Sequence, residues 1–161
     1  MKRTSSKKVF FYITCSLILL VVLTLCFIWG NSLQSSEASS NISNTLLDFV
    51  NKHLGHLGLE LKDDHFLRKL AHFGEFALLG MEMFFLVSLR RLKRTKASTY
   101  VLTLAFCLFV AVTDETIQLF VGRSCLITDV ILDFAGSFIG VFFAKLLITF
   151  VFKFKNGLIQ N

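Results

Sequence analysis

The hydrophobic residues of this chain fall in four long blocks. Val9 to Trp29 is a continuous apolar run, Leu67 to Leu89 and Thr99 to Val121 form two more, and a fourth covers about 128–152. Each block is close to the roughly 20 residues that a helix rising 1.5 Å per residue needs to cross ~30 Å of hydrocarbon. The pattern predicts four transmembrane helices. Between the first and second, Ile42, Leu46, Phe49, Val50, Leu54 and Leu57 recur at helical spacing, with Asn44, Asp48, Asn51 and Lys52 on the opposite face. That spacing predicts an amphipathic helix on the outer membrane surface, ended by Gly55 and Gly58. Ahead of it, the serine-rich stretch from Asn31 to Asn44 reads as a flexible exit loop. The expected fold class is an all-α polytopic membrane protein, with four transmembrane helices and an outer amphipathic helix between the first and second.

Composition agrees with this reading. With 161 residues, 54% of them hydrophobic, and a mean hydropathy of +0.67, the chain is too apolar for a soluble domain. Its longest hydrophilic segment, about residues 31–66, falls below the roughly 40 residues at which a domain usually folds alone. A single membrane domain over residues 1–161 is expected, with spans of about 9–29, 67–89, 99–121 and 128–152. The first apolar run is longer than a signal-peptide core and no small-residue cleavage site follows it, so it reads as a retained helix with Trp29 at the interface.

The net charge of +6 changes the picture only through its placement. Lys2, Arg3, Lys7 and Lys8 precede the first span, Arg90, Arg91, Lys93, Arg94 and Lys96 separate the second from the third, and Lys153 and Lys155 follow the fourth. With four spans these clusters share one side, which predicts that both termini are cytoplasmic and leaves no nucleic-acid partner to infer. Cys15, Cys26 and Cys107 lie in apolar spans and only Cys125 in an outer turn, so no disulfide framework is expected.

Candidate chemistry lies in the charged residues inside the spans, where each charge at mid-bilayer costs about 2.5 to 3.5 kcal/mol. Lys69, His72 and Glu75, spaced i, i+3, i+6, form a polar stripe at the start of the second span. Glu82, seven residues on, is expected at the depth of Lys145, and the two are predicted to pair unless Glu82 is protonated. In the third span Asp114, Glu115 and Gln118 lie about 22 to 29 Å from the inner end. Asp114 and Gln118 share a face, whereas Glu115 points to solvent or to a neighbouring helix. A tight outer turn over Gly122 to Thr128 carries Arg123. The fourth span opens with Asp129, which is favourable against the helix dipole, and continues with Asp133 on the face of Gly136, Gly140 and Ala144. The two glycines read as helix-packing positions.

Depth therefore brings His72, Glu75, Asp114, Gln118 and Asp133 towards one extracytoplasmic pocket, with Lys69 and Arg123 at its rim. The segments KLAHFGEFALLG, TDETIQLFVGR and DVILDFAGSFIG, with FIWGNSLQSS after the first helix, resemble the VanZ-like family of small bacterial membrane proteins over about residues 27–145. The resemblance picks out Lys69, His72, Glu75, Asp114, Glu115, Gln118, Arg123, Asp129, Asp133 and Gly136. It implies a bacterial cell-envelope protein, and the family takes its name from a protein associated with low-level teicoplanin resistance.

Two function classes follow. In the first, the pocket binds an amphipathic ligand at the outer leaflet, such as a lipid head group, a lipid-linked wall precursor or a lipoglycopeptide, with Lys69 and Arg123 as anion contacts. In the second, His72 with Glu75, and Asp114 with Asp133, offer an acid/base pair or hard-metal ligands for a membrane-embedded hydrolase or transferase on lipid-linked substrates. Transport ranks last, because four spans are few without homo-oligomerisation, and polar packing alone is the bland alternative. No HExxH or GxSxG motif is present, so neither a catalytic residue nor a metal ligand is assigned, and no cofactor is expected.

Overall fold

The computed structural model describes residues 2–54, 64–89 and 96–159. Five helices follow in order: α1 (Lys2–Ser32), α2 (Ser36–Leu54), α3 (Asp64–Leu89), α4 (Lys96–Phe120) and α5 (Ile127–Ile159), with no strand among the described residues. Four of them hold segments long and apolar enough to cross a membrane: Lys7–Ser32, Phe66–Leu89, Ala97–Phe120 and Ile127–Lys153. The protein is thus an all-α membrane protein with a short helix, α2, between the first and second spans. Gly55, Leu57 and Gly58, and the basic run Arg90, Arg91, Lys93 and Arg94, lie outside the described residues.

The surface of the bundle is as apolar as its interior, as contact with lipid requires. Phe109, Phe120, Ile131 and Phe150 all point outward and are exposed. Inside, Val21 and Ile28 of α1, Phe76 and Leu79 of α3, and Cys107, Val110 and Ala111 of α4 form one cluster. Phe84, Val141 and Ala144 form a second, deeper along α3 and α5.

The closest approach in the bundle is between α3 and α5, which run parallel. A Cβ at Gly136 would collide with the carbonyl oxygen of Phe73, one at Gly140 with that of Ala77, and one at Gly80 with that of Ser137. The two backbones therefore touch directly at three places. Lipid tails are as apolar as leucine, so close dispersion contact between small residues takes the place of the hydrophobic effect as the force joining these helices.

Two expectations are corrected. Residues 31–44 are not a flexible loop: α1 continues to Ser32 and α2 begins at Ser36, leaving only a short turn. Asn31 and Ser32 continue α1 with their side chains facing inward. Asn31 Nδ2 donates to Glu75 Oε1 at 2.9 Å and Ser32 is fully buried. Ser35 then caps α2, its Oγ accepting from the Ala38 N–H at 3.3 Å. Asn44, Asp48 and Lys52 of α2 are exposed, and so is Phe49, which was expected on the apolar face.

The second correction concerns Glu82, which does not pair with Lys145. Its Oε1 accepts from Thr24 Oγ1 at 3.2 Å, while Lys145 is exposed and its Nζ lies 5.9 Å from the centre of the Tyr100 ring. Lys145 is about 27 Å along α5 from Ile127, near the end of the span, where a long flexible side chain reaches the interface without a partner.

Two measurements check this packing. Gly140→Val places a branched side chain on a backbone carbonyl that has nowhere to move, a cost of about 3 kcal/mol or more, so the melting midpoint in detergent should fall by about 6 to 12 °C. Gly30→Ala, with nothing within 4 Å of the added carbon, should leave the midpoint in place, and equal melting of the two variants would remove the seam. Lys145→Met should shift the midpoint by no more than about 2 °C, being a change at an exposed site. A larger fall would restore the paired Glu82.

Candidate functional site

The chain crosses the bundle in alternate directions, so the end of α1, the starts of α3 and α5 and the end of α4 meet opposite the start of α1 and the end of α5. Every sequence-predicted polar residue of the site lies at that end. Lys69, His72 and Glu75 come from α3, Asp114, Glu115 and Gln118 from α4, and Asp129 and Asp133 from α5, with Arg123 in the turn between the last two helices.

The turn is built to aim Arg123. Gly122 adopts a φ of 78°, the left-handed conformation that ends a helix, and its N–H donates to Leu119 O at 3.1 Å. The next N–H, that of Arg123, donates to Gln118 O at 3.0 Å, completing a Schellman motif. The chain therefore folds back over the end of α4. Arg123 ends up 91% buried by its 9% exposure, and its Nη1 has no hydrogen-bond partner among the described residues. Burial, with help from Arg68, pulls its pKa below the ordinary value against the upward pull of Asp114, Glu115 and Asp129. The ordinary value lies so far above neutrality that the guanidinium stays charged.

A cavity of about 350 Å³ opens here, lined by Arg68, Lys69, His72, Arg123, Glu115 and Asp133 among others, with Ser40 of α2 on one wall. That volume suits a small head group. Asp114 and Glu75 stand behind the lining. Asp114, fully buried, accepts from Gln118 Nε2 through Oδ2 at 2.9 Å, and the same amide lies 3.4 Å from Ser32 Oγ. Glu75 takes Asn31 on Oε1, while its Oε2 is 3.6 Å from His72 Nδ1, too long for a hydrogen bond.

Lys69 and Asp129 pair with each other. Lys69 Nζ pairs with Asp129 Oδ1 at 2.6 Å, so the lysine expected as an open anion contact already has a carboxylate, and Asp129 has a partner besides the helix dipole. The pair ties the start of α3 to the start of α5. Glu115, for which solvent and a neighbouring helix were both open, is buried at 2% exposure. Its Oε2 accepts from the Leu126 N–H at 3.1 Å, just ahead of α5.

Three participants were not picked out from sequence. Asn31 and Ser32 sit within the GNSLQSS run, which reads as a loop when polar residues are taken to mean solvent. Arg68 lines the cavity beside Lys69. The signal for the first two is their distance from Trp29: two and three residues past an interfacial tryptophan, a helix is still within reach of the bundle.

Chemically, the pocket offers a cationic side, Arg68, Lys69 and Arg123, and an acidic floor. One carboxylate oxygen from each of Asp114, Glu115 and Asp133 lies within 4.8 Å of the other two, and all three residues are buried. His72 beside Glu75 supplies a group able to move protons.

No curated protein and no solved structure matches the chain. A model of the VanZ/LLP1 family matches residues 10–149. That match runs through the membrane helices and takes in every polar residue of the pocket, and the chain belongs to the VanZ/LLP1 family.

Proposed function

We propose that the pocket receives the anionic head group of an amphiphile from the outer leaflet of a bacterial cell membrane, the termini lying in the cytoplasm. The ligand class is a membrane lipid, a lipid-linked wall precursor or a lipoglycopeptide, and in the last case binding would give low-level teicoplanin tolerance. The observation that carries the reading is the buried Nη1 of Arg123, which has no hydrogen-bond partner among the described residues and stands at the cavity, in a bundle whose outer surface is apolar. A guanidinium held this way has donors to spare, and it matches phosphate or carboxylate with two parallel hydrogen bonds. Arg68 and Lys69 add positive charge at the same opening.

A specific observation favours a second reading, a hydrolase or transferase on lipid-linked substrates. His72 and Glu75 lie 3.6 Å apart beside a floor of three buried carboxylates, an arrangement suited to proton transfer. Head-group binding is the common requirement of both.

The test is binding of a fluorescent phosphatidylglycerol to the protein in neutral-lipid nanodiscs. Arg123→Gln should weaken binding by about tenfold or more, the cost of losing a charge-assisted hydrogen bond. Lys153→Gln, at the other end of α5, should not change it. Equal binding by wild type and Arg123→Gln would defeat the proposal. For the antibiotic, a Gram-positive host expressing wild type at matched membrane levels should tolerate more teicoplanin than one expressing Arg123→Gln. Indistinguishable tolerance would strike the lipoglycopeptide from the ligand class.

A further inference from the structure

The acidic floor of the pocket is crowded. Asp114 and Glu115 are neighbours on α4, and Asp133 reaches them from α5, so three carboxylate oxygens meet within 4.8 Å. Exposure is 0% for Asp114, 2% for Glu115 and 2% for Asp133. The charged groups that act most strongly on Asp133 are acids: Asp114, Glu115, Asp129 and Glu75. Arg123 and His72 act on Asp114, and Arg123 on Glu115. The Arg123 guanidinium thus faces a cluster that carries up to three negative charges.

A second observation separates this floor from an ordinary acidic patch. Asp114 is wholly enclosed, and although Oδ2 is taken by Gln118, Oδ1 has no hydrogen-bond partner among the described residues. A buried carboxylate oxygen left without a hydrogen bond in this way costs stability unless something else fills the place. The Glu115 carboxylate and the Asp133 backbone are both fixed. Glu115 is fixed by the Leu126 N–H, and the α3/α5 seam sets the position of Asp133.

We propose that Asp114, Glu115 and Asp133 bind a divalent cation of the hard, oxygen-seeking kind, magnesium, manganese or calcium, at the floor of the pocket. The spacing suits it. Oxygens bound at roughly 2.1 to 2.4 Å stand about 3 Å apart when adjacent on the ion and up to about 4.8 Å apart when opposite. An all-carboxylate donor set selects this class over zinc or copper, which favour nitrogen and sulfur. Glu115 and Asp133 line the cavity, so a hydrated ion can reach them and keep its remaining waters on the open side. Those waters are the positions that a phosphate oxygen takes when a magnesium-type ion binds a phosphorylated ligand. The ion and Arg123 would then grip one phosphate together.

This inference shares its pocket with the head-group reading and takes the identity of the bridging ligand from it, but the ion site is tested without any lipid ligand. Purified full-length protein in phosphatidylcholine nanodiscs is stripped with chelator and titrated with Mn2+, and the free ion is followed by its electron paramagnetic resonance signal. Wild type should take up one Mn2+ per chain with a Kd of about 10⁻⁴ M or tighter, displaced by Mg2+ or Ca2+. Asp133→Asn and Asp114→Asn should each weaken uptake by about tenfold or more. Glu82→Gln, a buried acid elsewhere in the bundle, should bind as wild type does. Folded wild type that takes up no Mn2+ at about 1 mM overturns the proposal, and so does uptake that all these substitutions leave unchanged. Should either aspartate variant fail to fold, the wild-type stoichiometry and Glu115→Gln decide. Phosphatidylglycerol binding that survives chelation, with no Mn2+ uptake, would end the ion site and leave the head-group reading standing.

Discussion

The direct contact of the α3 and α5 backbones is the constraint on which the rest of this molecule depends. In lipid, apolar side chains gain nothing by leaving one hydrocarbon surrounding for another, so helices join where their shapes permit close contact. Gly80, Gly136 and Gly140 permit it, each standing where any larger residue would strike a carbonyl oxygen of the other helix. Asp133 precedes Gly136 by one turn and Asp129 precedes it by two. The seam therefore fixes both acids against α3, at the levels of Lys69 and His72. The Lys69–Asp129 pair at 2.6 Å closes the polar end of the same interface.

A second constraint acts along α4. Its last turn must end abruptly to let the chain return, and Gly122 supplies the left-handed residue that does so. The return carries Arg123 back over Gln118, whose amide already bridges Asp114 and Ser32. One hydrogen-bonded chain thus links α1, α4 and the turn. The Glu115 side chain extends it to Leu126 and the start of α5. Three helix ends are held in register by side chains that hydropathy alone would place at the membrane surface.

Hydropathy made the four spans readable, because a run of about 20 apolar residues has few other uses. It failed where polarity and position part company. Asn31 and Ser32 look like loop residues and are the last turn of a helix, since their partners, Glu75 and Gln118, are inside the bundle. Glu82 and Lys145 were matched by depth, but depth says nothing about the direction a side chain takes round the helix. Glu82 turns to Thr24 on α1, while Lys145 turns outward. The inward face of Asp133 was legible, because Gly136 and Gly140 mark the side of α5 that meets another helix. Which acids share a floor was not, because that depends on how α4 and α5 are rotated against each other.

The remaining question is whether such a polar end could be packing and nothing more. Buried polar groups that serve only to fix helix register tend to satisfy one another, since each unanswered group costs stability. Part of this cluster does behave so: Asn31 with Glu75, Gln118 with Asp114 and Ser32, Lys69 with Asp129. The leftover atoms have a different character. Arg123 Nη1 and Asp114 Oδ1, like Glu75 Oε2 and His72 Nδ1, are buried without hydrogen-bond partners among the described residues, within the same group of residues and beside the same cavity. A ligand that brings both an anion for the guanidinium and a cation for the carboxylate removes both deficits at once, as a metal-bound phosphate does.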